Sequence, residues 1–285
     1  MKALTKALQG TITAATLAAT LATAPAEARK PARVSALVLN AASGQTLYAD
    51  AAGTVRAPAS LTKMMTLYLA FEALADGRLR PTTPILISRH AARQPASRLG
   101  IAAGKTLSTQ TALGVIAVDS ANDVTVALAE TLGGTEQRFV AQMNATAQRL
   151  GLRDTQFANA TGLRNPGNRT TARDVAMLSI ALLRRFPTAY RTFATRSVTW
   201  QRRRMVNHNH LLGRVTGVDG IKTGYTSDAG YNLAASAKRG NKRIIVVVLG
   251  ERSAAARDTR VANLLELGFG PPVAVRAPAR GRQRS

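Results

Sequence analysis

Ser60-Leu61-Thr62-Lys63 heads a strongly apolar segment, with a hydroxyl and an ammonium three residues apart and so on one side of a helix. A serine attacks a carbonyl only when a base takes its proton, and a lysine desolvated inside a site can lose its own proton near neutrality. Lys63 can therefore act as base to a Ser60 nucleophile, while the helix N-terminus and the Ser60 amide help hold a developing oxyanion. Ser-x-x-Lys arises by chance in many chains of this length, so the pair carries weight only in company. That company is Ser120-Ala121-Asn122, between two helical patterns, and Lys222-Thr223-Gly224, leading into a hairpin near the C-terminus. The three groups, in this order, fit serine acyl transfer.

The elements that must position these groups can be read from periodicity and turn residues. Val34 to Asn40 and Gln45 to Tyr48, joined by Ala41-Ala42-Ser43-Gly44, predict a β-hairpin. From Ser60 to Ala75 apolar residues cover almost every side of a helix that Asp76-Gly77 closes, which predicts a core helix. Ser108 to Arg185 is a run of helical patterns, with a capping-box-like Thr171-Ala172-Arg173-Asp174 before Val175 to Leu183. Tyr231 to Lys238 and Arg243 to Leu249 flank Arg239-Gly240-Asn241 as a second hairpin, and Ala254 to Leu267, with Gly268 behind it, predicts a last helix. Strands at both ends with helices between them predict an α+β architecture: one sheet closed by both ends of the chain, helices on its faces, and an all-helical subdomain inserted at about 88–190.

With these elements placed, Val218-Asp219-Gly220-Ile221-Lys222-Thr223-Gly224-Tyr225-Thr226, Ala229-Gly230-Tyr231-Asn232-Leu233 and Thr171-Ala172-Arg173-Asp174 complete a pattern. The sequence resembles the low-molecular-mass penicillin-binding proteins that are D-alanyl-D-alanine carboxypeptidases, over roughly Val34 to Phe269. The resemblance implies a serine β-lactamase-like fold, an antiparallel sheet with helices on both faces and a helical subdomain beside the cleft. It also implies roles. Ser60 attacks the penultimate D-alanine carbonyl, Lys63 accepts its proton, Ser120 relays a proton to the leaving amine, and Asn122 holds the substrate's peptide carbonyl. Lys222 supplies positive potential, Thr223 a hydroxyl to the substrate carboxylate, and Gly224 room for its backbone; the amides of Ser60 and Tyr225 form the oxyanion hole. Arg257 resembles the family arginine that binds the terminal carboxylate. At His208 family members often carry an arginine, so substrate preference is open between trimming pentapeptides and cutting crosslinks as a D,D-endopeptidase. Larger members add a C-terminal β-domain and an amphipathic anchor; this sequence ends before either, and no such anchor is expected.

Composition sets the outer bounds. With 285 residues, 46% of them hydrophobic, the chain can bury a full core, and with no cysteine it must hold together by packing. Residues 1–28 place Lys2 and Lys6 before an uncharged run from Gly10 to Ala22 and small residues around Ala24-Pro25-Ala26, the order of a secretory signal peptide; an uncleaved amphipathic anchor is the alternative. Export to the periplasm or another extracytoplasmic space is therefore expected, with residues 29–270 as the penicillin-binding catalytic domain. Residues 271–285 form a basic tail without apolar period, expected to be disordered. A net charge of +24 implies anionic partners. Only 4% of residues are aromatic, which disfavours nucleic acid and leaves anionic wall polymer or lipid headgroups, beside peptidoglycan stem peptides and β-lactams. His208 and His210 lack a third histidine, thiolate or clustered carboxylate nearby, so neither a metal nor another cofactor is expected. A catalytically idle wall-binding protein is the reading from a different class. The Asn-x-Thr triplets at Asn144, Asn159 and Asn168 would matter as glycosylation sites only in a eukaryotic secretory pathway.

Fast release of an acylated β-lactam uses, in one β-lactamase class, a glutamate acting through water, and Arg153 to Thr170 contains no glutamate. Penicillin is therefore expected to stay on the enzyme; rapid turnover of a chromogenic cephalosporin by purified protein would contradict this.

Overall fold

The computed structural model describes residues 34–270; the leader read at 1–28 and the tail read at 271–285 lie outside them. β1 (Ser35–Asn40) and β2 (Thr46–Asp50) form the expected first hairpin, whose turn Asn40 closes by accepting the Ala42 amide on Oδ1 at 3.0 Å. A 3-10 turn, Ala59–Thr62, leads into α1 (Lys63–Ala75). The small antiparallel pair β3 (Pro84–Leu86) and β4 (Thr106–Ser108) brackets a single turn of helix, α2 (Arg89–Ala92). α3 (Thr109–Val118), α4 (Asn122–Gly133), α5 (Glu136–Arg149) and α6 (Ala172–Arg185) follow. A second small hairpin, β5 (Ser197–Trp200) and β6 (Arg203–Val206), precedes β7 (Val218–Thr226), β8 (Gly230–Arg239), β9 (Lys242–Glu251) and α7 (Ala254–Phe269).

The main sheet is antiparallel in the order β2-β1-β9-β8-β7, so the first hairpin joins the last strands as expected. Its two faces feed two cores. Leu37, Leu39, Ile245, Val247 and Leu249 pack with α1, α3 and α6, while Ala36, Val38, Ile244, Val246 and Val248 pack with Val261, Leu264 and Leu265 of α7. Side chains alternate between faces with period two, and both faces of β9 are covered, which is why Ile244 to Leu249 is unbroken apolar sequence. α1 is buried on every side, as its all-round apolar pattern requires.

Three expectations change in detail. α1 begins at Lys63, with Ser60 on the preceding 3-10 turn, where side chains three apart eclipse rather than stagger. In the capping motif of α6, Thr171 accepts the Asp174 amide at 3.1 Å, but the Asp174 carboxylate turns away and binds the Asp154 amide (2.9 Å) and Thr155 Oγ1 (2.7 Å). α7 runs through Gly268 to Phe269 and is capped by Gly270, whose positive φ of 76° favours glycine. Gly268 is needed for approach to the sheet, since a Cβ there would lie 2.7 Å from Ile244 Cγ2 and 2.9 Å from Val38 Cγ1. Among the described residues no helix is long and apolar enough to cross a membrane.

Gly268→Val should overpack this contact and lower unfolding stability by about 1–3 kcal/mol. Gly53→Ala, where a Cβ meets nothing within 4 Å, should stay within about 0.5 kcal/mol of wild type. Urea denaturation measures both, and a Gly268→Val protein as stable as wild type would contradict the packing account.

Candidate active site

Ser60 lies on a turn gripped from three sides. Ala59 before it takes a left-handed φ of 49°, a conformation alanine holds only under tertiary constraint. Gly162, from the loop between α5 and α6, presses so close that a Cβ would sit 1.8 Å from the Ala59 carbonyl oxygen. Gly224 of β7 would put a Cβ 3.0 Å from the Ser60 nitrogen and 3.1 Å from the Pro58 oxygen. The fully buried Asn232 of β8 donates from Nδ2 to the Ala57 and Pro58 carbonyls, both at 3.1 Å, and accepts the Gly250 amide at 2.8 Å.

Lys63 is completely buried, and its Nζ contacts Asn122 Oδ1 at 2.8 Å, the Thr161 carbonyl oxygen at 2.7 Å and Ser60 Oγ at 3.2 Å. An amide oxygen and a carbonyl only accept, so two nitrogen hydrogens are committed to them. The remaining tetrahedral position faces Ser60 Oγ and carries a proton in the ammonium or the lone pair in the amine. Burial first, then the charge of Lys222, holds Lys63 well below the ordinary lysine value of 10.5. Both effects favour the amine, whose lone pair then faces the serine hydroxyl.

The acceptors of Lys63 are themselves held. Asn122 Nδ2 donates to the Pro95 carbonyl at 3.0 Å, which turns Oδ1 toward the lysine, and the Asn122 amide donates to Ser97 O at 2.6 Å. The other Nδ2 hydrogen has no acceptor among the described residues and is left to the cleft. Asp123, fully buried, receives the Leu99 and Gly100 amides at 3.1 and 2.8 Å and fixes the same 95–100 loop. The Thr161 carbonyl is placed by a cluster of asparagines. Asn144 exchanges two hydrogen bonds with the Phe157 backbone, Asn168 accepts from Ala158 N and donates to Leu163 O, and Asn159 accepts from Gly162 N at 2.7 Å. These are the asparagines of the three Asn-x-Thr triplets, and they build the loop that holds the lysine. Thr161 and Gly162 were not among the expected site residues; Asn159-Ala160-Thr161-Gly162 does carry an Asx-turn and glycine signal that points to a tight turn.

Ser120 sits in the turn between α3 and α4 at a left-handed φ of 64°, and its buried hydroxyl has no partner among the described residues. Across a cleft of about 510 Å³ the wall is Thr223, Gly224, Tyr225 and Thr226 of β7, with the Tyr225 and Tyr231 rings tilted against each other, their centroids 4.3 Å apart. Ser60, Ser120, Asn122, His208, Thr223, Gly224, Tyr225 and Arg257 all line this cleft, while Lys63 and Lys222 lie buried beside it. The ten residues picked out from sequence thus come together. His210, Ser97 and Leu163 line it as well.

Lys222 donates to its neighbour's carbonyl, Thr223 O, at 3.2 Å, and is pushed down to about 7 by burial, with Asp119 opposing and Arg257 reinforcing the shift. His208 is held below the usual histidine range by desolvation at the cleft wall and then by Lys222, so at neutral pH its imidazole is uncharged.

A family model described as D-alanyl-D-alanine carboxypeptidase matches residues 21–253. The chain belongs to the D-alanyl-D-alanine carboxypeptidase family. It is similar to the D-alanyl-D-alanine carboxypeptidase DacF of Bacillus subtilis, 38% identical over 82% of this chain and 61% of that protein. It is also similar to DacD of Escherichia coli K12, 37% identical over 82% of this chain and 62% of the relative. The chain thus spans about three fifths of the length of these curated relatives. Among solved structures, penicillin binding protein 5 of Haemophilus influenzae matches with TM-score 0.80 and 35% identity over 82% of this chain and 70% of that one. Penicillin-binding protein D2 of Listeria monocytogenes in its ampicillin-bound form matches with TM-score 0.73 and 32% identity, covering 83% of this chain and 97% of that one. The fold is therefore that of the penicillin-binding proteins.

The charge state of Lys63 gives a pH test. Because burial and Lys222 both disfavour the ammonium, acylation by a penicillin should rise with pH along a limb lying well below 10.5. Lys63→Arg, which stays protonated, should lose that limb and about 10²–10⁴ in rate. A limb near the ordinary lysine value, measured by stopped-flow acylation, would contradict the assignment.

Proposed function

We propose that this family member is a serine D-alanyl-D-alanine carboxypeptidase that trims peptidoglycan stem pentapeptides outside the cytoplasm and is inhibited by β-lactams. The observation that carries the reading is the geometry of Lys63 Nζ, with two hydrogens committed to Asn122 and Thr161 and its last position on Ser60 Oγ. Ser60 Oγ attacks the penultimate D-alanine carbonyl as Lys63 takes its proton, and the oxyanion forms at the Ser60 and Tyr225 amides. Collapse of the tetrahedral intermediate breaks the peptide bond, and the buried Ser120 hydroxyl, without a partner among the described residues, relays a proton to the departing D-alanine. Water then attacks the acyl-serine and restores Ser60. Asn122 has a spare amide hydrogen for the substrate's peptide carbonyl while its oxygen orients Lys63. Lys222, Thr223 and Arg257 receive the terminal carboxylate. Export through the leader and contact of the basic tail with anionic wall polymer belong to the same proposal.

Cleavage of peptide crosslinks by the same site is the second reading. The uncharged His208 favours it, since an arginine there would demand a free carboxylate more strongly.

Fluorescent penicillin should label wild type and spare Ser60→Ala, and wild type should release free D-alanine from a pentapeptide, with Ser60→Ala slower by at least about a thousandfold. Mass spectrometry after incubation with a pentapeptide and with a crosslinked dimer separates the two readings. A wild type that is neither labelled nor active on either peptide would reject both.

A further inference from the structure

Arg257 stands in the first turn of α7 and is 3% exposed, yet it lines the cleft. A guanidinium this enclosed needs a counter-charge, and Lys222 and His208 close by offer none. The counter-charge is the adjacent residue. Arg257 Nε and Nη2 both donate to Asp258 Oδ1, at 2.9 and 2.7 Å. Asp258 Oδ2 is in turn 3.0 Å from His210 Nδ1, and since a carboxylate only accepts, the imidazole donates from Nδ1. Successive residues on a helix do not face each other, so the Arg257–Asp258 contact is not a product of helical spacing; it closes while His210, from the segment before β7, holds the second carboxylate oxygen. His210 also lines the cleft, and the chain of contacts runs from His210 through Asp258 to Arg257 along its wall. Neither Asp258 nor His210 has a part in the acyl-transfer chemistry described above.

We propose that Asp258, anchored by His210, is a positioning residue that fixes the Arg257 guanidinium toward the cleft and thereby sets how strongly the site selects a free peptide terminus; this rests on the carboxypeptidase reading. With the Nε edge and one Nη2 hydrogen held by Asp258, Nη1 and the second Nη2 hydrogen are presented at a set angle to an incoming carboxylate. Without Asp258, repulsion from Lys222 and the loss of both hydrogen bonds release the guanidinium from that position. A peptide that ends in a neutral amide makes no charge pair with Arg257 and does not register the change.

The test compares a pentapeptide ending in D-alanyl-D-alanine with the same peptide amidated at its C-terminus, the second followed as substrate or as competitive inhibitor. Asp258→Ala should raise KM for the free acid about tenfold, change kcat less than about twofold, and leave binding of the amide unaltered. Asp258→Asn, which keeps an oxygen to accept from Arg257, should restore part of the loss. His210→Ala should shift the same ratio in the same direction by a smaller factor. Equal losses for acid and amide would mean a merely structural role and would overturn the proposal, as would a lower KM for the acid, which would make Asp258 a competitor for Arg257. A wild type that releases no D-alanine overturns the carboxypeptidase reading and this inference with it; an active wild type with an unchanged Asp258→Ala overturns this inference alone.

Discussion

The Lys63 side chain is the point on which the rest of the site turns. A primary amine has three positions besides its carbon, and here two are filled by hydrogens on fixed acceptors, Asn122 Oδ1 and Thr161 O, so that the third addresses Ser60 Oγ. Each acceptor is supplied by a different piece of chain and each is fastened by its own partners. Asn122 is turned by the Pro95 carbonyl, and the Thr161 loop is tied by Asn144, Asn159 and Asn168. The 3-10 turn that eclipses Ser60 and Lys63 is pressed by Gly162, where a Cβ would collide with the Ala59 carbonyl, and by Gly224, where a Cβ would crowd the Ser60 nitrogen at 3.0 Å.

This arrangement costs stability. Lys63, Lys222 and Arg257 are all nearly or fully enclosed in a chain whose net charge is already +24, and Asp119 and Asp258 supply compensating charge beside them. Left-handed φ values at Ala59 and Ser120 add backbone strain on either side of the cleft. The two cores on either face of the sheet hold these unfavourable features in place. The same electrostatics suit the proposed chemistry: burial disfavours the Lys63 ammonium, as a base requires, and the cations around the far wall would draw a carboxylate.

The sheet and the residues that gather at the cleft were legible in sequence for physical reasons. Ile244 to Leu249 is apolar without a break because both of its faces are covered, and the all-round apolar pattern of α1 marks a helix inside the core. Ser60, Lys63, Ser120, Asn122 and Lys222 could be picked out because acyl transfer needs those side-chain types. Thr161 gave no side-chain signal because it contributes its carbonyl, a group every residue has, and its loop's asparagines were read only as Asn-x-Thr triplets rather than as the turn they build. The short pairs β3–β4 and β5–β6 are too brief for a period of two to register. Gly268 read as a helix stop because a glycine required by packing against Ile244 looks identical in sequence to one required by a left-handed cap.

The central claim is that Lys63 is an uncharged amine at working pH, aimed at Ser60. Heteronuclear NMR of protein labelled with ¹³C at the lysine ε position, with the Lys63 signal assigned by its absence in Lys63→Arg, reads this protonation directly. The account predicts that this signal titrates well below the ordinary lysine value of 10.5 and stands apart from the surface lysines. A Lys63 signal that titrates with them, or stays protonated throughout the pH range in which the enzyme is acylated, would contradict it.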